Sequence, residues 1–152
     1  MPDQLTLLDR VAERGAWELR RGNELIGLIE RSPRRTRVSG QGTYWSVVRA
    51  RRRFGGRLVF RPPGSIAPSA EYHTGLLRRG GRLVLSDKRS LRLRPPGLVG
   101  KSWKLSREGG GEFTRARFSG VGEWLLELDA EAAREPAALL IVLATCYVIV
   151  AG

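Results

Sequence analysis

The sequence predicts a mainly β protein: a closed antiparallel β-barrel of about twelve strands around a central hydrophobic C-terminal α-helix. Three observations lead there. From Gly15 to Leu128, short runs of alternating apolar and polar residues recur, separated by Gly, Pro, Asn and Asp turn chemistry about every ten residues. Residues 137–151 then hold no charge and put apolar side chains on every face, so a helix there needs burial all the way round. About a dozen strands exceed what an open twisted sheet comfortably holds, and a barrel that wide is hollow unless something fills it.

The elements follow from local chemistry. Residues 1–14, with Leu5, Leu7, Leu8 and Val11, fit either a short helix or a first strand. Ala16-Trp17-Glu18-Leu19-Arg20 is a strand, Arg21-Gly22-Asn23 a turn, and Glu24-Leu25-Ile26-Gly27-Leu28-Ile29-Glu30 the return. Ser32-Pro33-Arg34-Arg35 ends it, and a brief strand at Thr36-Arg37-Val38 precedes Gly40-Gln41-Gly42. The next strand opens on Tyr44-Trp45, with Trp45 and Val47 facing in. Arg49, Arg51 and Arg53 carry the same parity, so the pattern fails at its basic end and predicts a bulge or a strand leaving the core.

Two sections then use the same hairpin grammar. Gly55-Gly56 feeds Arg57-Leu58-Val59-Phe60, closed by Pro62-Pro63-Gly64; Gly80-Gly81 feeds Arg82-Leu83-Val84-Leu85, and Leu91-Arg92-Leu93-Arg94 closes at Pro95-Pro96-Gly97. Tyr72-His73-Thr74 lies between them. Trp103 and Leu105 alternate in a further strand, Gly109-Gly110-Gly111 turns, and residues 113–118 and 123–128 complete the sheet.

The terminal run has two candidate environments, a lipid bilayer or the barrel interior. Residues 136–151 as a helix span roughly 24 Å, against a hydrocarbon core of about 30 Å. Length therefore favours a buried core helix at 136–151. The β-branched residues Ile141, Val142, Thr145, Val148, Ile149 and Val150 also permit a buried strand, but one of implausible length.

One domain over 1–152 is expected from the length. Net charge is +12, unevenly spread: residues 1–30 carry −2, residues 31–107 carry +18 with only Glu71 and Asp87 as acids, and residues 108–152 carry −4. A strongly positive surface attracts phosphates of lipid head groups or nucleic acid. The basic residues are nearly all Arg, whose fork donates two hydrogen bonds to one phosphate. The candidate anion-binding residues are Arg49, Arg51, Arg52, Arg53 and Arg57; the opposing reading makes them barrel-wall residues whose stems cover apolar surface.

Catalytic chemistry is sparse. One His and one Cys do not make an ordinary His/Cys metal site, so no metal and no cofactor are expected. Cys146 lies within the apolar run, as an inert thiol. His73 has no nucleophile elbow beside it, and Gly109-Gly110-Gly111 lacks the helix and Lys-Ser/Thr of a phosphate loop. Glu123 and Glu127 would meet only on a helix, and they belong to a strand. The reading is therefore non-enzymatic. A single Cys, and an N-terminus with two acids among its first ten residues and no basic start to a signal peptide, point to a cytoplasmic protein, with a peripheral place at the membrane as its extension.

The order of elements resembles the tubby-like superfamily, which includes the LURP-one-related proteins and the phospholipid scramblases. It rests on Trp17-Glu18-Leu19-Arg20, the Ile26-Gly27-Leu28-Ile29 return, the Tyr44-Trp45 strand and the closing apolar segment, and it covers roughly residues 15–152. The resemblance implies a twelve-stranded barrel around a hydrophobic helix and binding of phosphoinositides by basic residues on the barrel. The palmitoylated Cys cluster, Pro-rich region and acidic calcium-binding segment of the scramblases are missing. The functional expectation is a scaffold docking anionic phospholipid head groups. Its alternatives are a nucleic-acid-binding barrel, with Tyr44, Trp45 and Phe54 flanking the Arg run for stacking, and a tail-anchored membrane protein with a soluble β domain. Self-association is left open by the residues.

Overall fold

A computed structural model describes residues 3–10, 15–33, 35–51, 55–74, 80–97, 102–120 and 122–151. The strands are β1 (Asp3–Asp9), β2 (Ala16–Arg21), β3 (Glu24–Arg31), β4 (Thr36–Gly40), β5 (Thr43–Arg51), β6 (Gly56–Arg61), β7 (Ala70–Thr74), β8 (Gly81–Leu85), β9 (Ser90–Arg94), β10 (Ser102–Arg107), β11 (Glu112–Phe118) and β12 (Glu123–Leu128). A short 3-10 turn, Ala132–Arg134, leads to helix α1 (Ala138–Ala151). Each strand pairs antiparallel with its sequence neighbour, and β1 closes on β12 from Asp3↔Leu128 to Leu8↔Glu123. Residues 3–9 of the ambiguous first segment are thus a strand, and the seam it forms completes the barrel.

Alternation fixes which side chains line the lumen, because cross-strand partners share a face. Leu7↔Leu19, Ile29↔Val38, Val47↔Phe60 and Leu83↔Leu91 are such inward pairs, all buried. Two bulges adjust the wall, between Leu19 and Arg20 and between Leu105 and Ser106. The second lets both Phe113 and Thr114 be buried. Turn chemistry is as the sequence demands: Gln41 and Gly42 both adopt positive φ, 52° and 74°, which suits the two-residue β4–β5 hairpin.

The helix fills the lumen. Ile141, Leu143, Ala144 and Cys146 are fully buried, and Val142 and Tyr147 are nearly so. No helix among the described residues is long and apolar enough to cross a membrane. Thr145 returns its hydroxyl proton to the Ile141 carbonyl at 2.8 Å, which satisfies the polar group without a partner from the wall.

The helix does not sit on the barrel axis. It leans on β3 and β4, where two glycines let it close in. A methyl at Gly27 would fall 2.8 Å from Leu143 Cδ2; one at Gly40 would fall 2.6 Å from the Ile26 carbonyl and 2.8 Å from Leu139 Cδ2. On the far side the gap is bridged by large side chains, with Phe60 meeting Tyr147 edge to face at 6.2 Å.

Candidate functional site

Of the candidate arginines, the described register fixes the faces of Arg49 and Arg57. In the β5–β6 register Arg49 opposes Leu58, Ala50 opposes Arg57, and Arg51 opposes Gly56. Arg49 therefore shares the inward face with buried Leu58 yet is exposed, because it stands at the barrel rim beyond the core. Arg57 is on the opposite, outer face. Arg51 ends β5, and Arg52 and Arg53 lie outside the described residues. Of the expected Arg face, Arg49 and Arg57 thus stand on opposite sides of the sheet, because side chains alternate along a strand. The register runs unbroken from Ser46 to Arg51, so the failed alternation marks a strand leaving the core, not a bulge.

On the outer wall Arg57 is partly neutralised. Its Nη1 is 3.8 Å from Glu71 Oε1, and the other carboxylate oxygen is 3.2 Å from His73 Nε2. His73 thus belongs to an ion-pair cluster with one of the two acids of the basic middle.

The register assembles a different basic surface. Outward-facing Arg82 on β8 opposes Arg92 on β9, and Arg94 on β9 opposes Lys104 on β10, which opposes Arg115 on β11. Arg117 follows on β11, opposite exposed Leu125 of β12. All six cations are exposed. Arg82 meets Glu108 at 3.3 Å and Arg115 meets Glu112 at 3.0 Å, whereas Arg92, Arg94, Lys104 and Arg117 have no acidic partner among the described residues. Elsewhere several acids are paired, while exposed Glu127 of β12 stands directly opposite Arg115. Glu18 binds Arg10 and Arg20, Asp3 binds Arg21, Glu30 binds Arg37, and Glu135 joins Arg89 and Arg107. The hydrogen bonds from Arg20 and Arg10 hold the Glu18 carboxyl below its ordinary range.

Sequence reading passed over this wall because its members are never adjacent. The trace was present in Leu91-Arg92-Leu93-Arg94 and Thr114-Arg115-Ala116-Arg117, where apolar and basic residues alternate. Only the cross-strand register shows that these alternating cations line up. Phe118, one residue further and so on the inward face at the rim, is half exposed, and its ring lies 5.2 Å from that of Trp124.

A cavity of about 690 Å³ opens at the end of the barrel where α1 finishes, between the helix and β5, β6, β7 and β10. Leu58, Trp103, Val148, Ile149 and Ala151 give it apolar walls, and Arg49 and Arg57 border it. Tyr72 also lines it, is 3% exposed, and has no hydrogen-bond partner for its hydroxyl among the described residues. Burial pushes the Tyr72 phenol up to about 12, so it stays a donor. Among the described residues no three His, Cys, Asp or Glu come together. Cys146 is enclosed by the helix and wall, and burial pushes its thiol up to about 12. Comparison with protein-family models, with curated proteins and with solved structures finds no match for the chain.

Proposed function

We propose that the protein is a non-enzymatic binding domain whose basic barrel wall, β8 to β11, docks on anionic phospholipid head groups at a membrane surface. The observation that carries the reading is the cross-strand register that sets Arg82 against Arg92 and Arg94, Lys104 and Arg115 in one row. Like charges directly opposite one another destabilise a sheet. A wall that keeps them, with Arg92, Arg94, Lys104 and Arg117 lacking acidic partners among the described residues, is suited to counter-charge from outside. Arginine at four of these five positions favours bidentate contact with phosphate. Exposed Leu125, directly opposite Arg117, adds apolar contact at the edge, of the kind that enters the head-group layer. The tubby-like resemblance belongs with this proposal, as does a cytoplasmic site of action peripheral to the membrane. A nucleic-acid ligand is less well supported, since the described wall does not interleave stacking aromatics with its cations.

Co-sedimentation with neutral and anionic vesicles tests it. Binding is expected only to anionic vesicles and should weaken with salt. Replacing Arg92, Arg94 and Lys104 by Glu should abolish it, since each cation near the surface contributes about 1 kcal/mol. Equal sedimentation with both vesicle types sinks the reading, and retention on an oligonucleotide column without vesicle binding would transfer it to nucleic acid.

A further inference from the structure

We infer that the cavity at the C-terminal end of α1 is a binding site for one single-chain amphiphile with an anionic head, its tail lying between the helix and β6 and β10 and its head held by Arg49 and the Tyr72 hydroxyl.

The space is built into the wall. At the rim the inward positions of β6 and β8 are glycines, Gly56 and Gly81, and that of β7 is Thr74, whose hydroxyl accepts from the Gly56 amide at 3.0 Å. Among the described residues of β6, β7 and β8, no large side chain therefore fills the lumen beyond Leu58 and Tyr72. Gly81 is needed for a second reason: a methyl there would fall 2.8 Å from the Tyr72 hydroxyl oxygen. The helix leans the other way, toward β3 and β4, so the gap stays open on this side. Its size lies in the range of small-molecule sites, which are mostly apolar with a few placed polar groups.

The polar groups select the ligand. A buried donor without an acceptor is costly, and the Tyr72 hydroxyl is one. Arg49 brings a positive charge to the mouth, on the inward face, with no acidic partner among the described residues. A donor and a cation call for an acceptor-rich anion, and the apolar walls beneath call for a hydrocarbon chain. The inference is independent of the docking wall: the cavity lies at the barrel end and shares none of the wall's cations.

Calorimetric titration with dodecanoate, dodecyl phosphate, dodecanol and inorganic phosphate, below micelle formation and without vesicles, tests it. Both amphiphilic anions should bind saturably, one per chain. Dodecanol and inorganic phosphate should bind at least about 10-fold more weakly, each lacking one half of the recognised chemistry. Arg49→Ala should weaken dodecanoate by about 10-fold or more, and Tyr72→Phe by about 3- to 10-fold. Ala151→Trp, which fills the cavity from the helix end and changes no charge, should abolish binding while leaving the circular dichroism spectrum and vesicle sedimentation unchanged. Trp103 lines the cavity, so its fluorescence should change on binding and the change should vanish in Trp103→Phe. Absence of saturable binding, equal affinity for dodecanol and dodecanoate, or full affinity in a folded Ala151→Trp protein each overturns the inference. The wall variant with Glu at 92, 94 and 104 should keep amphiphile binding, so loss of vesicle docking and loss of this site read out separately.

Discussion

The two flanks of α1 use small residues to opposite ends. On the β3–β4 flank, Gly27 and Gly40 remove side chains so that Leu139 and Leu143 can press against backbone. On the β5–β7 flank, Gly56 and Thr74 also keep the wall thin, but past the Tyr147–Phe60 contact no described helix side chain fills the space, and a cavity stands there. The same device gives a tight joint where a partner side chain arrives and a void where none does. What glycine does in this barrel depends on which way the helix leans.

That contrast orders the expected effects of mutation. The largest should come from removing the helix altogether. Deleting residues 136–152 strips both flanks of their filling and should leave no cooperative thermal transition, since the burial lost exceeds a typical stability margin of about 5–15 kcal/mol. A folded, soluble remainder would show that the sheet stands without its core.

Next come the two flanks compared directly. Leu143→Ala, at a fully buried position against Gly27, should cost about 2–5 kcal/mol in chemical denaturation. Val148→Ala, on the cavity wall, should cost clearly less than that, because those atoms already lack neighbours on one side. Equal losses would erase the distinction between the flanks.

The glycines give a smaller and sharper test. Gly40→Ala must displace the Ile26 carbonyl and should cost about 1–3 kcal/mol. Gly56→Ala meets only the Thr74 hydroxyl at 3.0 Å, and the loss of chain entropy in the unfolded state offsets part of the strain. Its effect should stay within about 1 kcal/mol by the same denaturation measurement.

The smallest effect is a chemical one at Cys146. Because burial favours the neutral thiol, its folded pKa lies above the unfolded value, so its contribution to stability is complete at low pH and is lost as pH rises through and above the ordinary thiol range. A thiol reagent at mildly alkaline pH should leave the native protein unmodified and label it fully in denaturant. Rapid labelling of the native protein would mean that the helix leaves the barrel readily.

Much of this architecture is legible in the sequence, for a physical reason. Turn chemistry and period-two alternation are local, and the apolar run from Ala137 to Ala151 has too little polar surface to sit anywhere but inside or in lipid. The ionic surface is a different matter. Arg94, Lys104 and Arg115 become neighbours only through the β9–β10 and β10–β11 registers, which depend on bulges and loop lengths that composition does not state. Rim residues mislead for a related reason. Arg49 obeys the inward parity of Val47, but the core has ended by the time the strand reaches it. The cavity could not be read at all, because it follows from the lean of the helix.

The seam between β1 and β12 has a consequence for how this molecule meets others. With every strand bordered by two others, the described sheet has no edge strand. A foreign strand finds no full edge to zip onto, which shifts recognition here toward side chains.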